Sequence, residues 1–409
     1  MDDMGWGGRV DERLRAAVAS AYCSAPAVRA KLDRAGVPPE ELRGMADLER
    51  LPVTTKDELV RLQAENPPFG GFCTVPLGEL SHVFVSPGPL YEPGGDGNGF
   101  GSTWFFELLA ASGVAPGERA LNTFAYHLVP AGLALDQGLR AFGLTVVPAG
   151  TGNSEIQARV LRDLGISLYC GTPAFLARLL ERADELGYRP GSELHLRHAL
   201  LGGEAFPAAL REEIVGRGIA PIQAYGTADV GLIAAECPAG RLHLGDEAAV
   251  EIVDADSGRR LPAGEVGEVV VTSFNSVYPL LRFGTGDLAQ LVEAPCPCGR
   301  PSPVLSRLAG RVGRAVKVRG MFLHPHEVEQ ALEGVAGIAR FQVAVRRQGR
   351  RDELVVRVEE GRDGPVSLEA LGARAQSLWR VRPDRVETVP AGALGDDRQV
   401  LVDERPWDD

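Results

Sequence analysis

Between Leu121 and Gly203 short apolar runs alternate with stretches of helical length. The runs Leu144-Thr-Val-Val-Pro148, Ser167-Leu-Tyr-Cys-Gly171 and His198-Ala-Leu-Leu-Gly202 read as strands, each closed by Gly or Pro. Residues 154–165 and 173–187 between them carry apolar positions at three-to-four spacing and read as helices. Strands that are apolar throughout, joined by helices, require a largely parallel sheet covered on both faces.

The flanking segments extend this α/β pattern. Residues 9–35 and 39–50 read as mostly helical, and Thr55, three residues before Glu58, is placed to cap a further helix. Gly94 to Gly101 reads as a loop, and after Val250 short strands with turn residues take over, as in Gly264-Glu-Val-Gly-Glu-Val-Val-Val-Thr272. Beyond about Val312 a smaller α+β unit is expected, with helices near 325–334 and 367–379 and strands at 340–346, 353–359 and 385–389. A chain of 409 residues suits such a division, drawn here as 1–311 and 312–409.

A net charge of −12 argues against a nucleic-acid partner, since there is no basic stripe to meet a phosphate backbone. No apolar run approaches membrane-spanning length, and Met1 to Trp6 lacks a signal-peptide core, so a cytoplasmic protein with no membrane partner is expected. In that compartment the six cysteines read as thiols or metal ligands rather than disulfides. Only Lys31, Lys56 and Lys317 are lysines, which restricts where a catalytic ammonium can lie.

Several motifs follow one another along the chain: Leu51-Pro-Val-Thr-Thr-Lys56, Asn66-Pro-Pro-Phe-Gly70, Gly171-Thr-Pro173, Gly202-Gly-Glu204, Tyr225-Gly-Thr-Ala-Asp229 and Leu281-Arg-Phe-Gly-Thr-Gly-Asp287. Last comes Gly310-Arg-Val-Gly-Arg-Ala-Val-Lys-Val-Arg-Gly320, a strand flanked by glycines that looks like a hinge. In this order they resemble the adenylate-forming enzymes and, within them, the phenylacetate–CoA ligase family, over nearly the whole chain. The resemblance implies a large AMP- and acyl-binding domain of mostly parallel sheets covered by helices, followed by a small mobile α+β domain. It implies ATP-dependent activation of a carboxylic acid, most simply aromatic, and transfer of the acyl group to CoA or another thiol. A homodimer is compatible with it.

The resemblance also implies roles for residues. Tyr225 would stack on adenine, with Gly203 and Glu204 forming the other wall and Gly226 and Thr227 beside them. Asp229 takes the position of an acidic residue that helps hold Mg²⁺. Asp287 would accept from the ribose hydroxyls, Arg311 would lie near phosphate or ribose, and Tyr126 and His127 would border the acyl pocket. Taken singly, Tyr225 reads as well as a core aromatic and Asp287 as a turn residue.

Cys237, His243, Cys296 and Cys298 form a Cys₃His set that suits tetrahedral structural zinc, with free loop thiols as the alternative. Cys23, Cys73 and Cys170 read as small hydrophobes.

The chain departs from the family where ATP is handled. The expected phosphate loop, rich in hydroxyls and ending in Lys-Pro, is here Ser86-Pro-Gly-Pro-Leu-Tyr-Glu-Pro93. Only Ser86 and Gly88 survive; the prolines delete amide donors, and Glu92 stands at the lysine position. Asp396 occupies the place of the C-terminal lysine, leaving Arg398 as the cation nearby, and Gly313 and Arg314 alter the hinge. A second reading follows: a divergent member with impaired adenylation that binds nucleotide or acyl-adenylate, uses another nucleophile, or serves as a partner protein.

Overall fold

The computed structural model describes residues 5–405 except 87–88, 95–98, 190, 293–294, 307, 309, 313–315, 320, 324, 333–334, 336, 350, 362–367, 380, 391 and 395–399. It divides into two compact units, Met1–Ala309 and Gly310–Asp409.

The large unit opens with α1 (Trp6–Ser24) and α2 (Pro26–Ala35). Val10, Leu14 and Val18 recur every fourth residue of α1 and are fully buried. The helix expected over 39–50 forms instead as two 3₁₀ turns, Pro39–Glu41 and Met45–Arg50, because Pro39 and Gly44 interrupt the backbone pattern an α-helix needs. Helix α3 (Lys56–Glu65) begins as expected, with the Thr55 hydroxyl accepting from the Glu58 amide at 3.2 Å. Next come a hairpin, β1 (His82–Ser86) with β2 (Leu90–Gly94), and helix α4 (Thr103–Ala111).

The central sheet alternates strand and helix through β3 (Arg119–Asn122), α5 (Ala131–Phe142), β4 (Thr145–Pro148), α6 (Ser154–Asp163), β5 (Leu168–Gly171), α7 (Pro173–Glu185), β6 (His198–Leu201), α8 (Ala208–Gly216) and β7 (Ala220–Thr227). It continues with β8 (Gly231–Glu236) and β9 (Leu242–Leu244). Strands β4, β3, β5, β6 and β7 lie side by side and parallel, and β8 and β9 extend the sheet antiparallel. Successive residues of the parallel strands enter different cores. Leu121, Tyr169 and Leu201 pack with Leu161, Leu176 and Ile214 of α6 to α8; Ala120, Leu168 and Leu200 pack with Phe105, Leu108 and Leu139 of α4 and α5. Burial on both faces is why Leu168–Gly171 and Ala199–Leu201 are apolar throughout, while the edge strand β4 holds no buried residue.

Three further strands, β10 (Ala248–Val253), β11 (Gly267–Ser273) and β12 (Phe283–Ala289), pair antiparallel in that order and share a core with α1. The short strands β13 (Leu291–Val292) and β14 (Val304–Leu305) join the central sheet beside β9.

In the small unit Ile338–Gln348 pairs antiparallel with Arg351–Glu360, and Arg385–Val389 and Leu401–Asp403 add at the two edges. Helices Pro325–Leu332 and Leu368–Trp379 cover a core that includes Val328, Val343, Val356, Leu371 and Trp379. The edge strand Leu401–Asp403 and the strand Met321–Leu323, which pairs with Val316–Val318, are additions to the sequence reading. Among the described residues no helix is long and apolar enough to cross a membrane.

Candidate active site and metal centre

In a parallel α/β sheet, ligands settle outside the carboxyl ends of the strands, where crossovers leave a crevice. The predicted residues gather there. Tyr126 and His127 follow β3, Gly203 and Glu204 follow β6, Tyr225 to Thr227 end β7, and Asp229 lies in the turn into β8. Gly203 adopts the left-handed conformation, and Glu204 Oε1 accepts from the Ala174 amide at 2.6 Å, tying this loop to the start of α7.

Tyr225 and Asp287 meet although 62 residues separate them. The Tyr225 hydroxyl donates to Asp287 Oδ2 at 3.0 Å and lies 3.3 Å from Thr285 Oγ1. The Asp287 amide donates to the same threonine oxygen at 3.1 Å. Both Tyr225 and Asp287 are buried, at 7% and 8% exposure. A buried hydroxyl–carboxylate bond of this kind fixes an aromatic ring and an acceptor in register.

Asn122 Nδ2 donates to the Tyr126 hydroxyl at 2.8 Å, which lies 3.3 Å from Asp136 Oδ1. Burial and the nearby Asp136 charge raise the phenol above its usual range, so it stays protonated. His127 is exposed, and the Leu128 carbonyl accepts from the Val85 amide at 2.6 Å, seating this loop on the β1–β2 hairpin.

That hairpin is what the altered phosphate-loop stretch becomes. Ser86 pairs with Leu90 and Phe84 with Glu92. Glu92 points inward and is 5% exposed; the Ser86 hydroxyl donates to its Oε1 at 2.5 Å. Burial, reinforced by the negative charge of Asp229, pushes the Glu92 carboxyl up to about 8, against the opposing pull of Ser86 and Lys56. Lys56 Nζ, at the first turn of α3, lies 3.6 Å from Asp229 Oδ2. From the same helix Gln63 donates to the Tyr91 carbonyl and accepts from the Tyr91 amide, both at 2.8 Å, while also bonding the Tyr278 hydroxyl at 3.0 Å. Lys56, Gln63 and Tyr278 were not singled out from sequence for this site. The scarcity of lysine was the signal available for Lys56.

Gly88 and Arg398 lie outside the described residues, as do Asp396, Gly313 and Arg314, and the Arg311 side chain is likewise not described.

The four metal-type ligands converge at the far end of the sheet. Their ligand atoms all lie within 4.8 Å of one another, with Cys237 Sγ 3.6 Å from Cys296 Sγ and Cys298 Sγ 3.3 Å from His243 Nε2. Two sulfurs on a tetrahedral zinc with bonds of about 2.3 Å would stand ~3.8 Å apart, so the set fits that ion. His243 Nδ1 faces the Ser302 carbonyl at 3.0 Å; donating there leaves the Nε2 lone pair toward the thiols. Burial lowers the imidazole below its usual value and keeps it neutral, as a ligand must be. Two matching turns carry the thiols, Cys237-Pro-Ala-Gly240 and Cys296-Pro-Cys-Gly299. In each the glycine amide donates to the first cysteine's carbonyl, at 2.9 and 3.0 Å, and the glycine takes a left-handed φ, 72° and 76°. This repeated Cys-Pro-x-Gly pattern was a stronger sequence signal than the Cys-x-Cys spacing.

Residues 138–277 match the AMP-binding enzyme family. The chain is 34% identical over 362 residues to phenylacetate-coenzyme A ligase of Thermus thermophilus, covering 85% of this chain and 80% of that protein. It is 30% identical to phenylacetate-coenzyme A ligase of Escherichia coli K12, over 85% of this chain and 81% of the relative. Among solved structures, 2-hydroxyisobutyryl-CoA ligase in complex with 2-HIB-AMP and CoA superposes with a TM-score of 0.83 at 25% identity, covering 97% of this chain and 89% of that one.

Proposed function

We propose, from the premise that this chain belongs to the phenylacetate–CoA ligase family of AMP-binding, adenylate-forming enzymes, that it joins an aromatic carboxylic acid to coenzyme A. In the first step a carboxylate oxygen attacks the α-phosphorus of ATP, forming acyl-adenylate and releasing pyrophosphate. In the second the CoA thiol loses its proton and attacks the acyl carbon, forming the thioester and releasing AMP.

The observation that carries this reading is the meeting of Tyr225, at the end of β7, with Asp287 of β12, while Glu204 follows β6 and Asp229 follows β7 at the carboxyl ends of neighbouring parallel strands. Tyr225 and Gly203 to Glu204 would hold the adenine and Asp287 the ribose. The acid would lie toward Tyr126 and His127. Asp229 Oδ1 is buried and has no hydrogen-bond partner among the described residues, which fits a hard cation. When bound there, Mg²⁺ would offset phosphate charge. Zinc, held by Cys237, His243, Cys296 and Cys298, would staple β8–β9 to the loop before β14 and leave no open position for catalysis. Arg398 is proposed to supply the cation near the α-phosphate that the absent lysine would otherwise provide. Arg398→Ala should then lower pyrophosphate exchange by roughly a hundredfold while AMP affinity holds.

The relatives favour an active ligase over the divergent-member reading. Pyrophosphate exchange across a panel of aromatic acids, followed by a CoA thioester assay, tests the assignment. Exchange with aromatic but not short aliphatic acids supports it. Exchange confined to aliphatic acids would move the substrate class.

A further inference from the structure

The chain holds three lysines, and the fold gives them different places. Lys31 is 6% exposed, and its ammonium is committed to Thr54 Oγ1 and the Leu281 carbonyl. Lys317 belongs to the small unit. Lys56 is the lysine that the large unit brings to the carboxyl ends of the parallel strands, where its Nζ lies 3.6 Å from Asp229 Oδ2. That distance is beyond hydrogen-bond length, so charge rather than a directional bond holds the pair. The Asp229 side chain is 5% exposed and the Lys56 side chain 25%, so the lysine is the member of the pair that an incoming ligand can reach.

The backbone that carries Lys56 is fixed from two sides. Just before it, Thr54 donates its amide to the Arg282 carbonyl at 2.8 Å and accepts from the Gly284 amide at 3.0 Å, which ties it to the start of β12. Asp287 lies on that same strand. Further along α3, Gln63 holds both the amide and the carbonyl of Tyr91 at 2.8 Å, next to Glu92. The hairpin strand on which a glutamate stands at the lysine position is thereby fastened to the helix that bears Lys56. An ammonium is a compact point charge on a flexible stem, and rooted in rigid backbone it suits phosphate oxygens.

We propose that Lys56 is a further catalytic residue: from its place beside Asp229 it contacts the β- and γ-phosphates of ATP, the two that depart as pyrophosphate. The positive charge missing at position 92 is then supplied from α3. This inference rests on the ligase reading above, in which adenine lies at Tyr225 and ribose at Asp287, with the phosphates next along the edge toward Asp229.

The first test uses wild-type protein, without any acid substrate and with Mg²⁺ held constant. Reductive methylation, read on the Lys56 peptide by mass spectrometry, should be slowed roughly tenfold by saturating ATP and little by AMP, which lacks the two outer phosphates. The second is calorimetry on Lys56→Met. ATP should bind roughly tenfold or more weakly, while AMP affinity stays within about twofold. A lysine that only holds Asp229 in place would move both ligands together. Equal protection by AMP and ATP, no protection by ATP, or a folded Lys56→Met protein that keeps its ATP affinity would overturn the proposal. Failure of the ligase reading would look different: Lys56 protected by ATP but not AMP, with no acid supporting pyrophosphate exchange.

Discussion

The Tyr225 hydroxyl donates to Asp287 Oδ2 at 3.0 Å, tying the last parallel strand of the central sheet to β12 of the neighbouring ladder. Tyr225→Phe should lower stability by about 1 kcal/mol, since it removes one buried hydrogen bond to a carboxylate. Asp287→Ala should weaken AMP binding by roughly 1–3 kcal/mol. Urea unfolding checks the first and calorimetry with AMP the second; AMP affinity unchanged in Asp287→Ala would remove this residue from the nucleotide site.

A second prediction concerns Arg282, which is 1% exposed and pairs with Glu251 at 3.0 Å. Its guanidinium also donates to the Leu51 carbonyl at 2.5 Å and the Gly258 carbonyl at 2.7 Å. Glu251→Ala strands a buried cation and should cost about 3–5 kcal/mol. The double change Glu251→Leu with Arg282→Met should cost less than Glu251→Ala alone. Denaturant midpoints decide, and a double variant less stable than the single would contradict the desolvation argument.

Lys31 gives a pH dependence. It is 6% exposed, bonded to Thr54 Oγ1 at 2.6 Å and the Leu281 carbonyl at 2.5 Å, and burial lowers its ammonium to about 7. Between that value and the ordinary 10.5 the unfolded chain holds a proton that the folded chain has released. Unfolding therefore takes up a proton in this window, and stability rises with pH. The difference in unfolding free energy between wild type and Lys31→Met should climb from pH 7 to 10, by no more than about 1.4 kcal/mol per pH unit, and be flat below the window. A difference that is level throughout would mean Lys31 keeps an ordinary pKa when folded.

The metal centre yields a fourth. Protein purified without added zinc should contain one zinc per chain, and Cys298→Ala should lose it and melt markedly lower. Zinc content near zero in protein of normal stability would dismiss the staple. Ser302→Ala should leave zinc content at one, because the Ser302 carbonyl still accepts from His243 Nδ1.

How much of this was legible in the sequence differs by element. Strands such as Leu168–Gly171 and His198–Leu201 were legible because burial on both faces makes all but one of their positions apolar, a pattern no tertiary detail can hide. The span 39–50 misled because apolar spacing survives in 3₁₀ turns while the interrupting Pro39 and Gly44 decide the geometry. The site residues were legible as motifs, yet their partnerships were not. Nothing local in the sequence brings Lys56 to Asp229 or Glu251 to Arg282, since those pairs form only when distant strands and helices pack. Glu92 was visible as a lost lysine; its burial against Ser86 depends on a hairpin that Pro87 and Pro89 gave no cause to expect.

Pyrophosphate exchange with purified, zinc-replete protein, ATP, Mg²⁺ and a panel of aromatic acids tests the central claim most directly. The account predicts label from pyrophosphate entering ATP with at least one aromatic acid, and thioester appearing when CoA is added. No exchange with any acid, in a folded protein that still binds AMP, would contradict it and leave the chain a nucleotide-binding relative without the ligase reaction.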